Sequence, residues 1–319
     1  LSFDICLFLV PSYNQPKFCS SVNWDLNGIV LDIETNTLAL SDISIDKTDA
    51  IYTLYTKNNQ SFIWKNGLQT PLNISVLNSS TIFSTSLNNI YIGGGNSQNF
   101  QIQQQIDNTT YNISILYGFS SCSDIFIDIT NTMYCSISQN NQVVKKWLND
   151  GLNTSAIIAG TGTSGSLSQL RSPRGIFVDI NFDLYIADSG YNRIQLYHLS
   201  QLSTSTVAGN GTPDTIDLKF PTGVVLDADN YLFIVDSGNK RIVGSSLTGF
   251  RCIIGCIESD LILNKLVSPQ SMSFDSAGNI YVVDSSNKQV QQFNLATNSC
   301  GKKTYKENKH IFSSVRYFL

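Results

Sequence analysis

The sequence predicts an all-β chain folded as a six-bladed propeller, and three observations carry that prediction. Asp188, Asp236 and Asp284 stand 48 residues apart, in the related stretches IADSGYNRIQ, IVDSGNKRIV and VVDSSNKQVQ. The flanking segments alternate, as Ile176 and Val178 do with Phe177 and Asp179, the period of two that marks a strand. An aromatic residue recurs at Tyr52, Tyr91, Tyr134, Tyr185, Phe233 and Tyr281, at intervals of 39 to 51 residues. A strand-only repeat of that length must bury its faces against neighbouring copies, as propeller blades do.

Each clear copy reads as a proline, a short alternating run, an Asp/Asn turn, a second apolar run, the Asp-Ser turn and a third run. Pro173, Pro221 and Pro269 keep the 48-residue period. Fainter copies begin at Leu40, Ser80 and Ser121, the last with Ile137 where the aspartate would stand. Blades are therefore expected near 40–78, 79–120, 121–170, 171–218, 219–266 and 267–300. The sixth copy supplies three strands, ending near Phe293, and the apolar segment Asn27–Ile33 belongs to no complete copy. It is expected to serve as a closing strand within 22–33, which removes the exposed edge of an open stack. Residues 1–21 form an N-terminal segment, and the tail 301–319 matches no strand of the repeat.

The 319 residues suffice for one large β domain. Charged residues make up only 14% of the chain, against about 25% in soluble proteins generally. The net charge is −4, so no basic field is available to hold a nucleic-acid backbone. No apolar run reaches the roughly 18 residues that span a bilayer. The chain starts at Leu1, which leaves room for an upstream signal or domain. Seven cysteines and several Asn-X-Ser/Thr triplets favour the secretory route over the cytoplasm.

The unit Pro-x-Gly-Ile/Val, then Asp, a turn, Leu-Tyr-Ile-Ala-Asp and Asn-x-Arg-Ile resembles the NHL repeat. The likeness is clear from Ser172 to Phe293 and degenerate from Leu40 to Arg171. It implies a six-bladed propeller with four antiparallel strands per blade. It implies little about function, because NHL propellers serve several unrelated tasks.

Asp188, Asp236 and Asp284 invite a calcium or catalytic reading, but one position repeated in successive blades is what a scaffold shows. They are expected to close Asx-type turns on N–H groups two or three residues on, with Gly190 and Gly238 supplying positive φ and Arg193 and Arg241 neutralising the charge. The GTGTSG stretch at Gly160–Gly165 fits a dinucleotide fingerprint. The helix that such a site needs has no room before Pro173, so an inter-blade turn is expected. Only His198 and His310 are present, too few for a zinc cluster. No resident cofactor is expected, although carboxylates and carbonyls around the channel would suit calcium.

The cysteines contain no CxxC pair, so the zinc finger that some NHL ubiquitin ligases carry is not written here. Cys252 and Cys256 would lie about 13 Å apart in extended strand and can pair only across a bend. Cys122 and Cys135 flank a turn with an unfavourable register. A bond between Cys19 and Cys300 is expected to tie the ring where the chain breaks, leaving Cys6 over. Asn73, Asn112 and Asn153 open what read as the outermost strands of the first three blades, where glycans would shield exposed edges. Arg174, Tyr191, Arg193, Lys240 and Arg241 fall near turns that share one face, and loops at a channel mouth commonly form the binding surface.

The expected function is non-catalytic binding of a protein or glycan partner through loops on one face, outside the cell. A metal-dependent propeller lyase or lactonase is the main alternative. An intracellular NHL module that binds RNA or selects ubiquitination substrates is the third.

Overall fold

The computed structural model describes residues 14–18, 22–31, 39–57, 60–66, 72–74, 80–85, 89–96, 99–106, 109–113, 122–148, 155–160, 169–201, 203–210, 212, 215–256 and 265–296. Among them the strands group into six antiparallel sheets of four. After β1 (Ile29–Val30), the first sheet comprises β2 (Ala39–Ile45), β3 (Ile51–Lys57), β4 (Gln60–Lys65) and β5 (Leu72–Ile74). The second comprises β6 (Thr81–Ser84), β7 (Ile90–Asn96), β8 (Asn99–Ile106) and β9 (Thr109–Ile113). The third holds β10 (Asp124–Ile127), β11 (Thr132–Ile137), β12 (Gln142–Trp147) and β13 (Ala156–Ala159). The fourth holds β14 (Pro173–Val178), β15 (Asp183–Asp188), β16 (Arg193–His198) and β17 (Ser203–Gly209). The fifth runs β18 (Gly223–Leu226), β19 (Leu232–Asp236), β20 (Arg241–Ser246) and β21 (Gly249–Ile254). The sixth is β22 (Pro269–Phe274), β23 (Ile280–Asp284), β24 (Gln289–Phe293) and, outermost, β1.

Ile29 lies opposite Gln292 and Val30 opposite Gln291, and an isolated bridge joins Trp24 to Leu295. The first strands of successive sheets, β2, β6, β10, β14, β18 and β22, neighbour one another in order, and β22 returns to β2. The chain is an all-β propeller. Its apolar core lies between the sheets, for instance along Phe83, Phe126 and Phe177, whose ring centroids are 5.1 and 4.9 Å apart.

Two sets of aspartates build the turns. The first set closes the hairpin between first and second strands. Asp128 Oδ1 accepts the N–H groups of Thr130 at 2.8 Å and Thr132 at 3.0 Å, and Asp179 and Asp227 do the same for residues two and four on. The recurring tyrosine of the second strand completes the motif. Tyr52, Tyr134 and Tyr281 donate to Oδ2 of Asp46, Asp128 and Asp275 at 3.0 to 3.1 Å. These are the Asx turns of the fold.

The second set is Asp188, Asp236 and Asp284, and here the structure corrects the expected partners. Asp188 accepts the N–H of Arg171, and Asp236 that of Lys219, each at 2.7 Å and 17 residues upstream. Asp284 accepts those of Val267 and Ser268 at 2.8 Å. The backbone N–H groups that each carboxylate accepts come from the segment leading into its own sheet, while Asn239 and Asn287 of the turns donate side-chain bonds to Asp236 and Asp284. Gly190 and Gly238 also serve differently. Positive φ belongs to Asn192, Lys240 and Lys288, whereas a Cβ on Gly238 would sit 2.6 Å from the Lys219 carbonyl oxygen. Close backbone approach requires those glycines.

Cys122 and Cys135 form a disulfide with a Cα–Cα distance of 5.5 Å, contrary to the expected register. Regular pairing places Ile125 opposite Cys135, but β10 begins only at Asp124, so Cys122 lies outside the pleat and bends back. Cys252 and Cys256 are joined across the bend at Gly255, whose φ is 76°. Both Cys122 and Cys135 are fully buried. Replacing that pair by serine is expected to lower stability by about 3 kcal/mol, with less from the Cys252/Cys256 pair, whose loop is shorter. Thermal melts of the two double variants measure the difference.

Segment 14–18 crosses one end of the ring. Asn14 Nδ2 donates to the carbonyls of Asp46 and Phe274, and Ala228 N–H donates to the carbonyl of Pro16. The Phe18 ring packs on Trp24, Phe233 and Phe274, with centroids 5.0 to 5.4 Å away.

Candidate binding face and central channel

The six first strands surround a cavity of about 690 Å³. Its residues fall into layers set by the pairing of first and second strands. One layer is Asp42, Asp124, Gly175, Gly223 and Ser271, and Thr81 holds the matching register on β6 behind the lining. Its polar members stitch sheet to sheet. Asp42 takes the N–H of Ile43 on one oxygen and that of Ile82, in the next sheet, on the other, at 2.8 and 2.9 Å. Asp124 does the same with Ile125 and Ile176, both at 2.8 Å, and Thr81 Oγ1 donates to it at 3.2 Å.

Burial pushes both carboxyls upward. Asp124 is carried well above the usual carboxylate range, first by desolvation and then by the charge of Asp42. Each oxygen of this pair accepts a backbone N–H, so both carboxyls serve the joints between strands and sheets. No group of three or more His, Cys, Asp or Glu side chains suited to a metal occurs among the described residues. His198 lies outside the channel lining and bonds Asp183 at 2.9 Å; His310 lies outside the described residues.

One mouth of the channel opens on the face built by the Asp-Ser turns and the segments leading into each sheet. The five residues that sequence reasoning selected divide here by role. Arg193 and Arg241 bond Asp188 and Asp236 through Nε at 2.8 Å and reach upstream carbonyls of Gln169 and Asp217 with the other end of the guanidinium. Tyr191 lies under Arg193, 5.0 Å from ring centroid to guanidinium carbon. Lys240 is exposed, in the left-handed region. Arg174 alone of the five lines the channel, and its guanidinium sits 4.9 Å above the Phe220 ring. Its Nε has no hydrogen-bond partner among the described residues, and burial lowers its pKa. Phe220 and Val267 are each 40% exposed beside these groups.

Sequence reasoning missed the channel layers. The signal was present in the residue before each first-strand alternation, but only closure of the ring brings those positions together. Among the glycosylation candidates, Asn73 lies on β5 and Asn112 on β9, the outermost strands of their sheets, while Asn153 lies outside the described residues. Cys19 and Cys300 also lie outside them.

The family described as NHL repeat matches residues 266–293. No curated protein matches the sequence. Among solved structures, virginiamycin B lyase from Staphylococcus aureus aligns over 86% of this chain and 100% of its own, at 13% identity and a TM-score of 0.57. A gluconolactonase from Xanthomonas campestris aligns over 90% of this chain and 94% of its own, at 10% identity and a TM-score of 0.62. An auxiliary nutrient binding protein from Bacteroides ovatus aligns over 89% of this chain and 76% of its own, at 12% identity and a TM-score of 0.61. At such identities the likeness is one of fold.

Proposed function

On the premise that this chain is an NHL-type β-propeller, we propose that it is a non-catalytic module that binds a protein or glycan outside the cell. The binding surface is the loop face around the channel mouth, where Arg174, Tyr191, Arg193, Lys240 and Arg241 stand with exposed Phe220 and Val267. The observation that carries this reading is the division of labour between the two layers of polar groups. Channel carboxylates accept inter-sheet hydrogen bonds, whereas this loop face keeps an exposed lysine, exposed apolar side chains and a half-buried Arg174 with no hydrogen bond or ion pair among the described residues.

The six sheets are read as blades of one ring spanning 22–300 and closed by the N-terminal strand, which the pairing of β1 with β24 supports. The bond from Ala296 N–H to the carbonyl of Asn23 runs the two chain ends antiparallel, the direction that a Cys19–Cys300 closure disulfide requires. Two disulfides agree with an oxidising compartment, and with glycans on Asn73, Asn112 and Asn153. Glycopeptide mapping of secreted material is expected to find at least two of the three occupied.

The function is tested with the secreted chain on glycan and extracellular-protein arrays. Lys240→Glu and Tyr191→Ala are expected to weaken the captured interaction at least tenfold, while Leu247→Ser, on an exposed turn between β20 and β21, leaves it unchanged. Turnover of a lactone or cyclic ester that disappears in Asp42→Asn or Asp124→Asn would replace binding by catalysis.

A further inference from the structure

Beside the channel carboxylates, the first strands contribute Ser41, Arg174 and Gln270, and the residues just before β6, β10 and β18 contribute Ser80, Ser123 and Thr222. Five are neutral and polar. Arg174 is the only Arg or Lys among the described residues that line the channel. We propose that this ring is a binding site for a carboxylate-bearing sugar, free or at the end of a glycan, with Arg174 gripping the carboxylate. The inference rests on the loop-face reading above and names the ligand class taken at the centre of that face.

The geometry argues for each part of the ligand. A guanidinium presents donors in a planar fork that matches a carboxylate, and here its carbon rests 4.9 Å over the Phe220 ring, which limits where the fork can move. Its Nε is buried, and no hydrogen bond or ion pair holds the guanidinium among the described residues, so an acceptor that approaches the terminal nitrogens replaces no internal bond. The neutral positions ask for hydroxyl groups. Ser41, Ser80 and Thr222 spend their protons on the carbonyls of Leu54, Cys122 and Pro269, and Gln270 donates to Ser268. A hydroxyl that donates its proton keeps acceptor capacity on its oxygen, which suits a ligand rich in O–H donors.

Charge separates a carboxylate from a phosphate. Among the described lining residues one guanidinium supplies the positive charge, so the site neutralises one negative charge and leaves the second charge of a phosphate dianion unpaired. Upward displacement of Asp42 and Asp124 by burial keeps their repulsion of a monoanion small.

Calorimetric titration of the intact chain with D-glucuronate, D-galacturonate, D-glucose, acetate and inorganic phosphate tests the proposal. A uronate is expected to bind at least tenfold tighter than glucose, acetate or phosphate. Arg174→Gln should remove that preference, and Arg174→Lys should restore only part of it because the fork is lost. Phe220→Ala, which leaves the charge but frees the side chain, should weaken the uronate several-fold. Unchanged melting temperatures establish that each variant is folded. Equal uronate affinity in Arg174→Gln, or phosphate binding tighter than uronate, overturns the assignment. If array binding depends on Lys240 and Tyr191 while no uronate binds, this inference falls and the loop-face reading stands. If a uronate binds but no loop substitution alters array binding, that reading falls instead. A uronic-acid-terminated oligosaccharide that binds tighter than the monosaccharide identifies a glycan end as the source.

Discussion

Replacing Asp236 by alanine is expected to lower the unfolding free energy by about 3–5 kcal/mol, the usual cost of removing one partner of a buried ion pair. Asp236 is fully buried and accepts three hydrogen bonds: Lys219 N–H at 2.7 Å, Arg241 Nε at 2.8 Å and Asn239 Nδ2 at 2.8 Å. Truncation leaves a guanidinium only 22% exposed without its carboxylate and strands the N–H that anchors the segment leading into β18. Asp188→Ala should behave alike, since Arg193 and the Arg171 N–H repeat the arrangement. Asp284→Ala should cost less. Gln289 stands where Arg193 and Arg241 stand in the other two sheets, so no charge is orphaned. Urea unfolding of the three variants checks the order, and losses below about 1 kcal/mol for Asp236 would refute a scaffold role.

Stability should rise as the medium is acidified from pH 7 toward pH 5, and Asp227 should account for about 1 kcal/mol of that rise. In three sheets the hairpin aspartate gives Oδ2 to a tyrosine hydroxyl, but in the fifth sheet the matching residue is Phe233. Asp227 Oδ2 is consequently buried, beneath the N-terminal segment, with no hydrogen-bond partner among the described residues. Desolvation raises its pKa to about 6; nearby N–H groups, including that of Phe18, counter this, and Asp229 adds to it. Lys17 pairs with Asp229 at 2.8 Å, but it is largely exposed and screened.

The folded pKa exceeds the unfolded value near 3.9, so the native state binds the proton more tightly over that interval. The neutral acid favours folding, and that contribution is complete below the unfolded pKa and lost as pH rises through about 6. Asp227→Asn removes the charge at every pH. It is expected to stabilise the protein at pH 7 and to flatten the profile between pH 4 and 7 relative to wild type. Parallel profiles for the two proteins would show that Asp227 does not titrate in this range. Asp42, Asp124, Asp179 and Asp188 are also raised, and the difference between the profiles separates Asp227 from them.

The repeat by itself determined the class of fold. Period-two alternation and the 48-residue spacing specify strands that cannot bury their faces alone, and stacked blades follow from that physics. It also pointed to Asp188, Asp236 and Asp284 as scaffold, because the same residue recurs at the same turn of successive copies. What these carboxylates hold was decided by tertiary structure. Their N–H partners lie 16 or 17 residues upstream, in segments whose approach depends on how each first strand bends at its start. The same bend brings Cys122 to Cys135 against the regular register. Ring closure decided the rest. Ser41, Ser80, Ser123, Arg174, Thr222 and Gln270 are distant in sequence and unlike one another, so no local pattern links them. Only the circular arrangement of the first strands brings them together around the channel.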